Sequence, residues 1–237
     1  MKDLVIVGAG SIANEVLSFI KKYNLYNVIC FAVDRQYMNT DRLFDLPVYP
    51  LDELKKMVPI DETEFFIAIA FYNYMNKYKR EMYERLKPQG YKFANLISPK
   101  ADVCSSSIGE GNWINDYAYL AFGSKIGNNN TFVQHSIVSH STQMADHNVV
   151  SARAIIAGSC LIGNQNYFGV NSTVFNKLKI GNKCIVGGGS VVKKDLPDFT
   201  MVVAPDSYYK QCDEDKIETY ISLEHIKKSN QKFKENN

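Results

Sequence analysis

Three histidines lie close together in the middle of the chain and are its best candidates for proton transfer. The sequence has four histidines, and His135, His140 and His147 fall within thirteen residues of one another. Histidine is the side chain that titrates near neutral pH, so it can serve as a general base without a large change in its pKa. We take His140 as the candidate base, and a solvated surface histidine is the alternative interpretation.

The elements that position these histidines are indicated by a six-residue repeat. Every sixth residue from Ile108 to Val192 is apolar, a period that fits neither an α-helix nor a two-faced β-strand. Small residues flank these positions, as tight corners of the backbone require. The repeat predicts a prism of short stacked strands with an apolar interior, so the histidines should point outward. The repeated positions are Ile108, Ile114, Leu120, Ile126, Phe132, Val138, Met144, Val150, Ile156, Ile162, Phe168, Val174, Ile180, Val186 and Val192.

The repeat resembles that of the hexapeptide-repeat family, whose fold is a left-handed parallel β-helix with three hexads in each 18-residue coil. The resemblance implies the handedness and the three-sided section. With that coil length, Gly158 lies one coil beyond His140 and exposes its backbone N–H. A base and a donor about 5 Å apart can flank a thioester, the base taking a proton from the nucleophile and the donor stabilising the oxyanion.

A second motif lies near the start of the chain. The predicted strand Asp3–Val7 runs into Gly8-Ala9-Gly10-Ser11-Ile12-Ala13, which matches the pattern G-x-G-x-x-A. Such glycines let the backbone approach a diphosphate at a helix N-terminus. Asp34 follows 24 residues after Gly10, about where a ribose-binding carboxylate is expected. We interpret the turn as a site for the nucleotide part of a ligand; a nicotinamide cofactor and a purely structural turn are the alternatives.

Strands and helices alternate through this first part of the chain. Further strands are predicted at Val28–Val33 and Glu64–Ala70, a short helix opens at Leu51–Leu54, and a helix over Met75–Lys87 ends near Pro88 and Gly90. The pattern predicts a Rossmann-like α/β domain of the βαβαβ type over residues 1–97. A left-handed β-helix over residues 98–206 and a C-terminal helical extension over residues 207–237, with a helix at Asp213–Lys234, complete the predicted fold.

Composition excludes several classes of protein. The 237 residues are 46% hydrophobic, and 27 basic and 25 acidic residues are well mixed, which gives no basic stripe for nucleic acid. There is no leader-like segment and no apolar run of about 18 residues, so we expect a cytoplasmic protein without membrane insertion. Five scattered cysteines without C-x-x-C pairing indicate reduced core thiols and no metal site.

At this point the chain, from residue 1 to about 206, resembles the bacterial sugar acyltransferases of the sialic-acid and bacillosamine pathways. In that family the stretch written here Ser136–His140 ends in the catalytic histidine, and the later Asp146-His147 carries a second one near the acetyl group. Ser151–Gly158 and Gly187–Asp195 match the family's acyl-CoA segments. Two residues depart from the family pattern, because Ser141 replaces an acidic residue and Ile12 replaces a histidine.

The resemblance implies an acetyl-CoA-dependent N-acetyltransferase that acts on a nucleotide-linked amino sugar as a homotrimer. His140, His147 and the Gly158 amide would be catalytic, and the acetyl-CoA side would use Ala157, Gly158, Gly188 and Lys193. The candidate residues for the nucleotide-linked sugar are Gly8, Gly10, Ser11, Asp34, Asn73 and Lys77. An O-acetyltransferase, an inert trimeric nucleotide-binding scaffold and a nicotinamide-dependent enzyme remain as alternatives.

Overall fold

The computed structural model describes residues 1–69, 76–205 and 211. Met1–Ala204 form one compact unit. Asn73, the end of the third predicted strand at Ala70, and the predicted C-terminal helix Asp213–Lys234 lie outside the described residues. No helix among the described residues has the length and apolar character needed to cross a membrane.

The first part of the chain is a six-stranded sheet in the order β3-β4-β2-β1-β5-β6, parallel except for the antiparallel pair β3–β4. Its elements are β1 (Asp3–Val7), α1 (Ser11–Tyr23), β2 (Asn27–Val33), β3 (Arg42–Leu43), β4 (Leu46–Pro50), α2 (Leu54–Met57), β5 (Glu64–Ile67), α3 (Lys77–Leu86) and β6 (Lys92–Phe93). The predicted α/β domain is confirmed. The strand β4 is absent from the sequence prediction, because Pro47 and Pro50 favour a loop there.

Both faces of this sheet are covered, which explains why its central strand is a continuous apolar run. Leu4 and Ile6 of β1 pack in one cluster with α1, and Val5 and Val7 pack in another with Leu54 of α2. The carboxyl ends of β1, β2 and β5 therefore meet at one edge of a rigid layer, next to the glycine turn.

The second part is a left-handed parallel β-helix, and the predicted prism is confirmed. Its two-residue strands stack into three parallel sheets. The first sheet contains β7 (Leu96–Ile97), β10 (Trp113–Ile114), β13 (Thr131–Phe132), β16 (Val149–Val150), β19 (Tyr167–Phe168), β22 (Ile185–Val186) and β24 (Met201–Val202). The second contains β8 (Asp102–Val103), β11 (Tyr119–Leu120), β14 (Ile137–Val138), β17 (Ile155–Ile156), β20 (Thr173–Val174) and β23 (Val191–Val192). The third contains β9 (Ser107–Ile108), β12 (Lys125–Ile126), β15 (Gln143–Met144), β18 (Leu161–Ile162) and β21 (Lys179–Ile180).

The six-residue repeat forms the interior of the prism. Each repeated apolar residue is the second residue of a strand, and all of them belong to one core cluster, in which Ile108 alone is partly rather than fully buried. Strand pairing advances by 18 residues, as in Ile137 opposite Ile155. Each apolar side chain is therefore stacked on the equivalent one in the next coil.

The three edges of the prism are tight turns, most of which use residues other than glycine at the position of positive φ. One residue at each turn has a positive φ, for example His135 (60°), Ser141 (57°) and His147 (63°). This conformation is unfavourable for most L-residues. A ladder of buried asparagines supports one edge, because each side-chain oxygen accepts a hydrogen bond of 2.7–2.8 Å from the backbone N–H 18 residues later. The ladder residues are Asn112, Asn130, Asn148 and Asn166.

The α/β domain packs against the beginning of the prism. Trp113 of the first sheet lies with its ring centroid 5.9 Å from that of Phe19 and 6.3 Å from that of Phe66. The Tyr23 hydroxyl donates to Asp116 at 2.7 Å, and the Tyr83 hydroxyl donates to Glu110 at 2.8 Å. The glycine turn is thus held at a fixed position relative to the coils.

A lysine is buried in this junction without a carboxylate partner among the described residues. Lys79 is 2% exposed, and its Nζ donates to Thr131 Oγ1 at 3.2 Å and to the Asn129 carbonyl at 3.4 Å. Burial lowers the pKa of Lys79 to about 7. The junction therefore carries a cation whose desolvation opposes folding.

The cysteine prediction is correct for three residues and wrong for a fourth. Cys30, Cys160 and Cys184 are free and buried, whereas Cys104 is free and exposed. Cys104 follows the short strand β8, and its Sγ donates to the Asp102 carboxylate at 3.2 Å on the outside of the prism. Cys212 lies outside the described residues.

Candidate active site

A cavity of about 550 Å³ opens at the carboxyl ends of β1, β2 and β5. The predicted residues Gly8, Gly10, Ser11 and Asp34 line it, together with Tyr78, Met82 and Arg85 from α3. Lys77 does not line it, because it lies at the exposed start of α3 with its Nζ 3.9 Å from the Glu81 carboxylate. The helix α3 therefore lines the cavity with Tyr78, Met82 and Arg85, and Lys77 faces away from it.

The two glycines of the turn are required for different reasons. Gly8 has a φ of +122°, and a Cβ atom there would lie 2.6 Å from the carbonyl oxygen of Ala68, so the fold itself requires glycine. Gly10 has an ordinary extended φ of −88°, and a Cβ atom there would have nothing within 4 Å. The absence of a side chain at Gly10 leaves open space at the start of α1, a helix with no side-chain cap. Unpaired N–H groups at a helix N-terminus favour an anion.

Asp34 is held in place by an arginine that the sequence did not single out. The Arg85 guanidinium donates to the two carboxylate oxygens of Asp34 at 2.8 and 3.0 Å. The partners are 51 residues apart and meet because α3 packs on β5, on the face of the sheet that also carries Cys30 and Ala32 of β2. The carboxylate therefore keeps a fixed orientation at the wall of the cavity.

The three clustered histidines lie on three different edges of the prism, which we name after them. The His135 edge joins the first sheet to the second, the His140 edge joins the second to the third, and the His147 edge joins the third to the first. His135 is exposed and stacks on Tyr117 with ring centroids 5.0 Å apart. Closeness in sequence therefore does not bring these side chains together.

His140 is exposed, and its imidazole lies directly against Gly158 in the next coil. A Cβ atom on Gly158 would lie 2.6 Å from Cε1 and 2.9 Å from Cδ2 of the ring. The Ser159 N–H donates to the His140 carbonyl at 2.8 Å, which fixes the two coils in register. Within the described part of the chain, the Gly158 N–H meets no hydrogen-bond acceptor and the His140 ring has no hydrogen-bond partner. Gly158 is buried beside the ring and not exposed as the sequence predicts, because the His140 imidazole covers it. A base and an unpaired amide thus adjoin on one edge.

His147 has a different environment. It is 7% exposed, its Nδ1 lies 2.9 Å from the side-chain nitrogen of Asn129, and its ring packs edge-on against Tyr83 at 5.5 Å. Its carbonyl accepts a hydrogen bond from Asn76 at 3.0 Å. Burial holds the pKa of His147 at about 4, so the ring is neutral at pH 7. The structure places His147 in the packing of the α/β domain on the prism and does not bring it to His140.

The predicted acyl-donor residues divide between two edges. Ala157, Gly158 and Lys193 share the His140 edge, where Lys193 is exposed and its Nζ lies 5.7 Å from the ring centroid of Phe175. Gly188 is exposed on the His135 edge. These two edges border the same face of the prism, the second sheet.

The outer face of the second sheet is apolar and uncovered in the single chain. Tyr119 and Ile155 are each 38% exposed and Val191 is 51% exposed, at alternate levels of the stack, and the half-buried Ile137 and Thr173 lie between them. The outer face of the third sheet is mostly polar, with Lys125, Gln143 and Lys179, and Leu161 is its one exposed large apolar residue at these strand positions among the described residues. An apolar face of this kind marks a contact surface.

Comparison with known proteins agrees with this architecture. Residues 3–86 match the family described as the PglD N-terminal domain. The fold is similar to that of a histidine-to-asparagine variant of perosamine N-acetyltransferase from Caulobacter crescentus in complex with CoA and GDP-perosamine, with 23% identity and a TM-score of 0.74 over 86% of this chain and 94% of that one.

Two further solved structures share the fold. The acetyltransferase domain of PglB from Neisseria gonorrhoeae has 22% identity and a TM-score of 0.73 over 85% of this chain and 96% of that one. WeeI from Acinetobacter baumannii has 20% identity and a TM-score of 0.56 over 86% and 97%. No curated protein matches the sequence. Residues 3–86 therefore resemble the PglD N-terminal domain family, and the whole chain shares the fold of these acetyltransferase structures.

Proposed function

We propose that this protein is an acetyl-CoA-dependent N-acetyltransferase that acts on a nucleotide-linked amino sugar. The observation that carries the proposal is the contact between the His140 imidazole and Gly158, whose N–H has no partner among the described residues. The presence of CoA and GDP-perosamine in a structure of similar fold supports the same pair of substrates.

The domains divide the substrates between them in this proposal. Residues 1–97 hold the nucleotide-linked sugar, residues 98–206 carry out the transfer, and residues 207–237 form a C-terminal extension. The diphosphate lies at the uncapped N-terminus of α1, where Gly10 and Ser11 expose backbone N–H groups. Asp34, oriented by Arg85, accepts from a ribose or base donor, and the predicted residue Asn73 lies outside the described residues. Lys77 is not assigned to it, because Lys77 does not line the cavity.

The acyl donor lies along the His140 edge beyond Gly158. Ala157 presents little side chain there, and the Lys193 ammonium complements a phosphate of the donor. Gly188 contributes from the His135 edge of a second subunit. A second copy packed on the apolar second sheet would bring its His135 edge beside the His140 edge of the first copy. Repetition of this contact around a three-fold axis gives a homotrimer.

The proposed reaction conserves atoms and protons. The amine nitrogen of the acceptor sugar attacks the thioester carbon, and the His140 imidazole takes a proton from that nitrogen as the C–N bond forms. The Gly158 N–H donates to the carbonyl oxygen while it carries negative charge. The C–S bond then breaks, and the imidazolium returns the proton to the departing sulfur. The products are an acetamido sugar and free CoA.

A hydroxyl acceptor is the second candidate, because nothing in the sequence distinguishes an amine from a hydroxyl as the acceptor atom, but Ser141 in place of the family's acidic residue weighs against it. No described carboxylate contacts His140, so the imidazole lacks the support that helps it to deprotonate a hydroxyl. A neutral amine already carries a nucleophilic lone pair and needs less help. This difference favours N-acetylation.

The test is thiol release from acetyl-CoA with UDP-, dTDP- and GDP-linked 3- and 4-amino sugars and their hydroxyl analogues. We expect turnover on one amino sugar, and a loss of at least about 10²-fold in His140→Asn, as is typical when a general base is removed. Gln143→Asn, an exposed change on the third sheet, is the matched control and should retain full activity. Acylation of hydroxyl sugars alone, or full activity in His140→Asn, would contradict the proposal.

A further inference from the structure

Phe122 is exposed on the same edge as His140, one coil earlier. Its side chain is 82% exposed, more than any other large apolar side chain among the described residues. The Ser141 N–H donates to the Phe122 carbonyl at 3.3 Å, so the backbone at Phe122 is tied to the coil of the candidate base. An aromatic ring in this position contributes little to the core of the chain.

The direction of the prism determines which substrate meets this ring. The α/β domain with the nucleotide cavity packs at the beginning of the prism, through Asp116 and Glu110. Gly158 and Lys193 lie on the opposite side of His140, toward the end of the prism. Coils are spaced about 4.8 Å apart, so Phe122 lies about one coil from His140 on the side from which the sugar must reach the base.

We propose that Phe122 is a specificity-determining residue whose ring packs against the apolar C–H face of the acceptor sugar. This inference rests on the proposed function, because it assigns a partner for the sugar in the same site. Aromatic faces carry negative charge density and attract polarised C–H groups. The contact holds the sugar ring while the nucleotide is held elsewhere, and it turns the amine toward His140. The substrate class is therefore a nucleotide-linked pyranose with an uninterrupted C–H face beside the reacting amine.

The test separates the sugar from the nucleotide. In Phe122→Ala we expect the KM for the nucleotide-linked sugar to rise about tenfold, corresponding to about 1.4 kcal/mol. The KM for acetyl-CoA and the Kd of the free nucleoside diphosphate should not change. Phe122→Tyr keeps the ring and should restore the KM of the sugar. Phe199→Ala is the matched control, since Phe199 is 74% exposed on the His147 edge.

Three results would overturn this inference. They are an unchanged KM for the sugar in Phe122→Ala, a raised KM for acetyl-CoA, and loss of the oligomer in sedimentation, which would place the ring in a subunit contact. Failure of the proposed function has a different signature, since wild-type protein would then be inactive on the whole panel. In that case calorimetry with the nucleotide sugar and the free nucleotide still tests Phe122, because Phe122→Ala should weaken binding of the first alone.

Discussion

Substitution of Gly158 by alanine should impair catalysis while leaving the fold intact. The new methyl group would lie 2.6 Å from Cε1 of His140, well inside the 3.4 Å at which ordinary contact begins. The imidazole must therefore move by about 1 Å, and a displacement of that size costs about 10²-fold in rate, or about 2.7 kcal/mol. Because the ring is exposed and flexible, we expect the melting temperature to stay unchanged.

The assay is thiol release from acetyl-CoA with the preferred acceptor sugar, compared with thermal melting followed by circular dichroism. The double variant with His140→Asn isolates the mechanism. If alanine at Gly158 acts by displacing the base, it should cost nothing further once the base is absent. A single Gly158→Ala variant with wild-type kcat, or costs that multiply in the double variant, would refute this reasoning.

Three further outcomes follow from the structure. Gly8→Ala should lower the melting temperature because its Cβ would meet the Ala68 carbonyl, whereas Gly10→Ala should keep the wild-type melting temperature but bind a nucleoside diphosphate more weakly in calorimetry. Lys79→Met should raise the free energy of unfolding at pH 7 by a few kcal/mol, measured by urea denaturation. The magnitude follows from about 1.4 kcal/mol for each unit by which burial lowers the pKa of Lys79. Burial lowers the pKa of Lys79 from 10.5 to about 7, so the unfolded state holds the proton more tightly. Wild-type stability should therefore rise between about pH 7 and 10.5, and the advantage of the variant should vanish near pH 10.5; a constant difference would contradict this. Ile155→Lys, on the apolar face of the second sheet, should convert the proposed trimer to monomers in sedimentation without loss of β-structure, and an unchanged oligomer would argue against that face as the subunit contact.

The prism could be predicted from the sequence because each coil repeats the same local requirement. A side chain that points inward must be apolar, so Phe132 and Val150 carry the signal one residue at a time. The same regularity locates Gly158 beside His140, since strand pairing advances by 18 residues in the coils around them and departs from 18 only at the two ends of the prism. The lining of the cavity by Gly8 and Asp34 was predictable because strand ends in a parallel sheet share one edge.

The environment of His147 could not be predicted, because it depends on how one domain packs on the other. The sequence indicates that a histidine at a corner points away from the core, but not that Tyr83 and Asn129 cover it. Arg85 was missed for the same reason, since its partner Asp34 is distant in sequence and no local pattern connects them. Sequence periodicity predicts which side chains of an element face its core. The contacts of His147 and Arg85 are made between the outer surfaces of different elements, and periodicity does not predict these.

The constant coil spacing of the β-helix sets the distance between the nucleotide cavity and His140. The asparagine ladder and the stacked edges repeat every 18 residues, so inserting or deleting one whole coil between the α/β domain and His140 would keep the histidine on its edge. It would also change the distance from the nucleotide cavity to the base in a single step of about 4.8 Å. An insertion of six residues would instead move the base to another edge. The distance between the nucleotide cavity and His140 can therefore change only by whole coils. The length of acceptor molecule that spans the two sites changes in the same steps.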